Sequence, residues 1–290
     1  MPILWRRGTL MAIMAIAAAF TLAANEGEGP PHPFAPGEKL TYSVTWSVFQ
    51  AGELTATLQR TATGPQDDFQ LVTTVRSRGF VSLLYDLDDE YRSRFNPGTL
   101  CSEGISKRVL EGRRHKQTQI VFDSTRKLAI LDEADLAKPG HPVKHDENPI
   151  SSCTEDVVTA FYYLRNQTLH VGDRVLVPVN DGSQTREVTV EVQAREQIDT
   201  PLGRRYAFRM EPTVFGSLYK RKGRMLIWIS DDDQRLPLRI KAMISVGTLT
   251  GTLQSVTEVP PVAASPAPGA LPPAHGSDSP AGTGNPSPQP

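Results

Sequence analysis

The stretch Glu38 to Val48, EKLTYSVTWSV, decides the class of the fold. Apolar and polar side chains alternate along it, which is the period of a β-strand with one buried and one solvated face. The apolar set is Leu40, Tyr42, Val44, Trp46 and Val48, and the polar set is Thr41, Ser43, Thr45 and Ser47. The folded part of the chain is therefore predicted to open with an amphipathic strand.

Strand patterns continue outward from this stretch. Ala51-Gly52 indicates a turn, and alternation resumes between Leu54 and Gln59, so the first two strands are predicted to form a hairpin. Further strands are predicted at 69–77, 90–95, 105–110, 117–123, 127–132, 174–180, 186–194, 204–210, 224–230, 236–245 and 248–257. The pattern predicts a mainly β fold with one antiparallel sheet, curved into a half-barrel, a barrel or a sandwich.

One helix interrupts the strands. Residues 156–169 are apolar on most faces of a helix, which is typical of a helix that is buried or covers an open sheet. Ser152 and Glu155 have the spacing of a capping box at its start. The preceding segment, residues 137–149, contains three prolines and no periodicity, so it is predicted to be a loop.

The two ends of the 290-residue chain differ from the middle. Residues 1–24 combine Arg6 and Arg7 with an apolar run too short for a comfortable membrane span, which predicts a cleaved secretory signal and a periplasmic or otherwise exported protein. An uncleaved N-terminal anchor is the alternative. Residues 25–36 are predicted to be an extended leader and residues 37–257 the β domain. Residues 258–290 are predicted to be disordered, since they contain ten of the 24 prolines.

Charge and cysteine content narrow the class of protein. The formal net charge of −1 lacks the basic excess of a dedicated nucleic-acid binder. The two cysteines, Cys101 and Cys153, are predicted to form one disulfide if the protein reaches an oxidising compartment, with two separate buried thiols as the alternative. Such a bridge would close a loop of about 53 residues.

The sequence contains no motif of an established catalytic or cofactor site. It has no nucleophile elbow, no dinucleotide or phosphate-binding loop and no zincin motif. His141 and His145 have the spacing of two metal ligands on a helix, but the surrounding prolines favour solvated loop histidines. The acidic stretches at 86–90 and 231–233 lack the complete pattern of a calcium loop, and Asp231 to Gln234 is predicted to be a tight turn. No catalytic residue, metal or cofactor is predicted.

Two groups of residues are candidates for binding. The candidates for lining an apolar ligand cavity, with core packing as the alternative, are Trp46, Tyr162, Arg165 and Trp228. Arg165 is a charge in an apolar segment, so it is expected to pair with a buried acid or to cap helix carbonyls. The candidates for contact with anionic groups, with solvated hairpin loops as the alternative, are Arg113, Arg114, Lys220, Arg221 and Lys222.

Several segments in order resemble the domain-of-unknown-function family 3108 of bacterial envelope proteins. They span about residues 34–257 and are Phe34-x-Pro36-Gly37-Glu38-x-Leu40-x-Tyr42, Trp46, Ala51-Gly52, Asp156 to Arg165, Gly172-Asp173, Ile227 to Asp232, Arg235 to Arg239, and Gly247. The resemblance implies export and a β-rich fold, and it implies no reaction. Residues 228–239 are also similar to the late strands of periplasmic lipoprotein carriers of the LolA/LolB type, which implies a curved half-barrel.

These observations predict an exported, non-enzymatic envelope protein that binds a lipid, another apolar or amphipathic ligand, or a partner protein. Membrane association is expected to be peripheral at most. Two alternatives stay open. One is a structural protein with a solid core and a tethering tail, and the other is a hydrolase of envelope glycans or lipids.

Overall fold

The computed structural model describes residues 32–61, 68–213 and 223–258 of the chain. The predicted signal at 1–24, most of the leader and the predicted tail from residue 259 lie outside the described residues. Lys220, Arg221 and Lys222 lie outside them as well.

The described residues form fifteen strands and two short helices. The strands are β1 (Glu38–Trp46), β2 (Phe49–Thr61), β3 (Asp68–Ser77), β4 (Asp88–Phe95), β5 (Ser102–Glu111), β6 (Arg114–Asp123), β7 (Leu128–Asp135), β8 (Lys144–Pro149), β9 (Glu155–Asp156), β10 (Arg174–Asn180), β11 (Thr185–Thr200), β12 (Gly203–Pro212), β13 (Arg224–Ser230), β14 (Pro237–Ile244) and β15 (Gly247–Glu258). The helices are α1 (Phe80–Leu84) and α2 (Thr159–Arg165).

All fifteen strands belong to one sheet whose order runs from β8 through β1 and β15 to β9. Neighbouring strands are antiparallel, except that β9 runs parallel to β10. β1 pairs with β15, so the first and last strands of the domain meet in the middle of the sheet. The edge strands β8 and β9 are joined by residues 150–154 alone, so the sheet must curve until its two edges approach each other. The prediction of a mainly β fold with one curved antiparallel sheet is confirmed.

Side chains bridge the seam where the sheet is not closed by strand pairing. Asn180 of β10 donates a hydrogen bond to the side-chain oxygen of Asn148 on β8 at 2.6 Å, and the Thr185 hydroxyl donates to the carbonyl of Pro149 at 2.7 Å. The turn after β10 lies against the inner face of the opposite strands. Gly182 has φ +103°, and a Cβ there would lie 2.7 Å from the side chains of Ile120 and Leu131. Position 182 therefore requires glycine, which tolerates a positive φ and has no Cβ to meet those side chains.

The core is densely filled on the inner side of the sheet, where α2 packs. The Tyr162 ring contacts Phe34 at 4.8 Å and Phe95 at 6.1 Å between ring centroids. In β1, Leu40 and Tyr42 are buried as their alternation predicts, whereas Val44 and Trp46 are half-buried and Val48 lies exposed in the turn after the strand. Neither helix in the described part of the chain has the length and apolar character that crossing a membrane requires.

The helix predicted at 156–169 is wrong in its extent. The helical residues are Thr159–Arg165, and Glu155 and Asp156 form strand β9 instead. The Asp156 carboxylate accepts hydrogen bonds from the backbone N–H groups of Val158 and Thr159 at 2.7 and 3.1 Å, so it begins the helix in place of the predicted capping box. The apolar pattern extends beyond the helix because the residues that follow it are packed in the core, as Leu169 shows.

Three local predictions are also corrected. The first turn lies at Ser47 and Val48, not at Ala51-Gly52, because β2 continues through those residues beside β3. The segment 137–149 is not a loop throughout, since its last six residues form β8 against β7. The short helix α1 has no counterpart among the predicted elements. The predicted turn at Asp231 to Gln234 is confirmed, with the Asp232 carboxylate accepting from the Ser230 hydroxyl at 2.7 Å.

Candidate functional site

One end of the sheet exposes apolar side chains on several neighbouring connections. In an antiparallel meander every second connection lies at the same end. The connections β1–β2, β3–β4, β5–β6 and β14–β15 therefore share one end of this sheet. We call the exposed apolar side chains on the neighbouring β1–β2, β3–β4 and β14–β15 connections, and at the strand ends beside them, the apolar rim. It comprises Val48, Phe49, Phe80, Leu83, Leu84, Tyr85, Val246 and Leu249.

The β1–β2 and β14–β15 turns form the first part of the rim. Trp46 pairs with Phe49 on one side and with Leu249 on the other. Its indole N–H donates a hydrogen bond to the Val246 carbonyl at 3.0 Å, and the Ser47 N–H donates to the Thr248 carbonyl at 2.7 Å. These bonds fix the two turns to each other, so the apolar side chains at their tips lie side by side.

The helix α1 forms the second part of the rim. It follows β3 directly and packs beside β2, where the Arg78 N–H donates to the Ala51 carbonyl at 2.8 Å. None of the five residues of α1 is buried. Phe80 is 68 % exposed and Leu83 is 82 % exposed. A helix of one turn that buries no apolar face gains little from its own packing, so its exposed leucines and phenylalanine need another explanation.

The β5–β6 hairpin places cations at the border of the rim. Its tip is held to the end of α1 by the Gly112 N–H, which donates to the Asp86 carbonyl at 2.8 Å, and by the Tyr85 hydroxyl, which donates to Glu111 at 3.4 Å. Arg114 pairs with Glu111 at 3.2 Å, and Arg113 is exposed at the tip. The structure therefore brings two of the predicted anion-contact residues to the border of the apolar rim.

Exposed large apolar side chains are concentrated in the rim. Fifteen large apolar side chains are exposed in the described residues, and eight of them belong to the rim. Single exposed apolar residues are ordinary, whereas a contiguous group marks a site of interaction or of aggregation. Sequence reasoning missed α1, although the apolar run FVSLL after Gly79 was a visible signal.

Three of the four predicted ligand-cavity residues, Tyr162, Arg165 and Trp228, are buried and do not belong to the rim. Arg165 is fully buried, and its guanidinium donates to both carboxylate oxygens of Glu38 at 2.6 and 2.7 Å. The Tyr162 hydroxyl donates to the same carboxylate at 3.0 Å. Burial acts to lower the pKa of Arg165, but the bonds and the charge of Glu38 prevail and raise it. The expected pairing of Arg165 with an acid is confirmed.

Trp228 and Trp46 occupy different environments. Trp228 is 7 % exposed, and its indole N–H donates to Glu196 at 2.7 Å. Trp46 lies at the opposite end of β1 from Glu38, about 26 Å away at ~3.3 Å per residue. The structure thus brings Tyr162 and Arg165 together and separates Trp46 from them. A role for these side chains in lining a ligand cavity stays a prediction.

The connection from β8 to β9, residues 150–154, and β9 itself are fixed to β4, β5 and the connection between them. Cys153 forms a disulfide with Cys101, with a Cα–Cα distance of 5.0 Å, as the sequence predicts. The buried Asp156 carboxylate accepts hydrogen bonds from the hydroxyls of Ser93 and Ser102 at 2.9 and 2.8 Å. The neighbouring Glu155 carboxylate is buried and has no hydrogen-bond partner among the described residues, and burial raises its pKa to about 8.

The remaining polar features do not assemble into a metal site. Within the described ranges, no group of three or more potential ligands is close enough to hold a metal ion. His145 lies in β8 and contacts the Asp132 carboxylate at 2.8 Å, and the hydrogen bond to Asp132 raises the pKa of His145. A surface pocket of about 570 Å³ is lined by Arg174, Glu191, Glu211 and Arg224 among others, so its walls are polar.

Comparisons with known proteins give two similar structures and one matching family. A β-barrel-like protein of the domain-of-unknown-function family DUF1849 from Brucella abortus is similar over 77 % of this chain and 98 % of its own, with 8 % identity and a TM-score of 0.51. An exported protein with a YmcC-like fold from Bacteroides fragilis covers 78 % of this chain and 98 % of its own, with 10 % identity and a TM-score of 0.35. No curated protein matches the sequence. The family model of DUF3108, described as a protein of unknown function, matches residues 41–254, and the chain therefore belongs to that family.

Proposed function

We propose that this protein is an exported, periplasmic envelope protein that binds an apolar or amphipathic partner through the apolar rim. The observation that carries the proposal is the group of eight large apolar side chains exposed together at one end of the sheet. Each square ångström of apolar surface left in water costs about 25 cal/mol, and a partner that covers the rim would recover that free energy.

Two observations support export. Residues 1–24 combine a positive start with a short apolar run and small residues, which is the pattern of a cleaved signal. The Cys101–Cys153 disulfide is of the kind that persists in oxidising compartments such as the periplasm.

The filled core favours the rim over an internal cavity as the binding site. A side chain that lines a ligand-sized cavity would retain area accessible to that cavity. Tyr162 and Arg165 retain almost none, and both are held by Glu38. The partner is therefore proposed to bind at the surface, beside Trp46.

The experiment measures binding of the amphipathic dye anilinonaphthalene sulfonate to the exported protein by fluorescence. We expect dye binding by the unaltered protein and a large loss in Phe80→Ser/Leu83→Ser, because those side chains are exposed in α1. The matched control is Val171→Ser/Leu176→Ser, two exposed apolar residues outside the rim, which should bind the dye as the unaltered protein does. Equal dye binding by all three proteins would contradict the proposal.

A further inference from the structure

We infer that the apolar rim docks on the surface of a zwitterionic phospholipid bilayer. This inference rests on the proposed function and names the partner of the same rim. The rim enters the boundary between headgroups and acyl chains, and the strands of the sheet remain in water.

The shape of the rim fits a bilayer surface. Its apolar side chains stand on three separate connections, β1–β2, β3–β4 and β14–β15. A bound peptide needs a groove or a free strand edge. Here β1, β2 and β15 are each paired on both sides. A fluid bilayer accommodates separate apolar tips, so the spacing of the connections does not limit contact with lipid.

The aromatic residues of the rim fit the same partner. Trp and Tyr are the residues that concentrate at the boundary between membrane and water, because each has an apolar ring with one polar atom. Tyr85 belongs to the rim and Trp46 lies beside it. The Trp46 indole N–H is bonded to the Val246 carbonyl and the Tyr85 hydroxyl to Glu111. Their rings can therefore enter a less polar layer without leaving a donor unpaired.

The charges beside the rim match a headgroup that carries both signs. Three arginines at this end are paired with acids, Arg76 with Asp88 at 2.9 Å, Arg78 with Glu53 at 3.3 Å, and Arg114 with Glu111. Among the described residues, Arg113 and Asp86 take part in no ion pair, and both are exposed at the ends of their connections. These eight side chains carry four positive and four negative charges, and the unpaired Arg113 is available to a phosphate and Asp86 to the headgroup ammonium. This balance predicts binding that depends little on salt.

The experiment is co-sedimentation of the exported protein with phosphatidylcholine vesicles. We expect binding that Phe80→Ser/Leu83→Ser lowers by at least about tenfold, because two large apolar side chains no longer enter the bilayer. Val171→Ser/Leu176→Ser should bind as the unaltered protein does. Phosphatidylglycerol added to the vesicles, or added salt, should change the binding less than threefold, ~0.6 kcal/mol.

A second measurement locates the contact. Removal of the predicted signal leaves two tryptophans, Trp46 beside the rim and Trp228 in the core. Brominated phosphatidylcholine should quench Trp46 emission in Trp228→Phe, and it should leave Trp228 emission in Trp46→Phe unchanged.

Absence of sedimentation, equal loss in both double variants, or unquenched Trp46 would overturn the inference. Steep dependence on phosphatidylglycerol and salt would overturn the zwitterionic assignment. If vesicles fail while dye binding still depends on Phe80 and Leu83, the inference fails and the proposed function stands.

Discussion

Arg165 and Glu155 are both buried ionisable residues, but the surroundings favour the charged form of Arg165 and the neutral form of Glu155. Arg165 is bonded twice to Glu38 and also donates to the Arg235 and Gln234 carbonyls at 3.1 and 3.2 Å, so its charge is compensated. Glu155 has no such partner among the described residues, and its charged form is disfavoured by burial. One residue is kept charged inside the fold and the other is kept neutral.

The raised pKa of Glu155 predicts that the fold loses stability as pH rises from about 4.5 to about 8. The pKa of this carboxyl is about 8 in the folded chain and 4.5 in the unfolded chain, so the unfolded chain releases its proton first as pH rises. Between those two values the free energy of unfolding should fall by up to about 1.4 kcal/mol per pH unit from this group. Urea unfolding of Glu155→Gln at pH 5, 6.5 and 8 should show a flatter dependence on pH than the unaltered protein.

The control for this prediction is Glu187→Gln, which alters an exposed carboxyl on β11 and should leave the dependence on pH unchanged. The comparison between variants is needed because burial also raises the pKa of Asp156 and of Asp89, which gives the same sign. Parallel pH curves for Glu155→Gln and the unaltered protein would contradict the prediction.

The sequence predicted that Arg165 pairs with a buried acid or caps helix carbonyls, and it could not name the acid. Glu38 lies 127 residues away, and only the curvature of the sheet brings the start of β1 next to α2. Glu155 was assigned to a capping box because its spacing from Ser152 fits one. In the structure Glu155 pairs with Val179 in a strand instead. A local sequence pattern does not reveal this pairing, because it depends on a distant segment.

At the scale of elements, the connection between β8 and β9, together with β9 itself, is attached to the rest of the sheet at three points. Within a few residues it carries the disulfide to the β4–β5 connection, a backbone bond from the Ser102 N–H to the Thr154 carbonyl at 3.1 Å, and the Asp156 carboxylate. All three attach it to the same pair of strands. This attachment positions β9 and α2 on the inner side of the sheet.

Loss of the disulfide should therefore destabilise the domain measurably. The cysteines are 52 residues apart, and a loop of this length predicts a loss of about 2–4 kcal/mol in Cys101→Ala/Cys153→Ala. Urea unfolding measures the loss, and a reductant should lower the stability of the unaltered protein but not of the double variant. Two free thiols in the denatured, unreduced protein would contradict the bridge.

The strands were more predictable than the helices, for a physical reason. Strands such as β10 and β13 have continuous apolar or alternating patterns, and their predicted bounds agree with the structure. The five residues of α1 bury nothing, so no core-facing period exists to reveal them. The rim was missed for the same reason, because exposure of Phe80 and Leu83 depends on what surrounds them in space.

For the whole molecule, the seam between β8 and β10 determines whether the curved sheet behaves as one unit. Its bonds come from side chains and not from a ladder of backbone bonds. Asn180 donates to Asn148 and to Thr185, and it accepts from the Gly182 N–H at 2.7 Å. The seam therefore depends on one buried amide more than on any strand pair.

Substitution of that amide should open the seam selectively. Asn180→Ala removes three hydrogen bonds and leaves buried partners unpaired, which predicts a loss of about 1–3 kcal/mol. Hydrogen exchange should rise in β8 and in the turn at residues 181–184, and it should stay unchanged in β1 and β2. Gln254→Ala on β15, whose side chain bonds only within its own strand at the surface, is the control. Uniform exchange across the sheet in Asn180→Ala would contradict a local role.

The pairing of β1 with β15 also has a consequence for the timing of folding. Leu40 meets Val256 across more than two hundred residues, so the centre of the sheet forms only when nearly the whole domain has been synthesised. Closing a loop of that length is slow, because its entropy is lost before the contacts form. Until then β1 and β14 each lack a neighbour and the two halves of the sheet stay separate. The hairpins within each half can form earlier, because their strands are neighbours along the chain, and the pairing of β1 with β15 joins the two halves last.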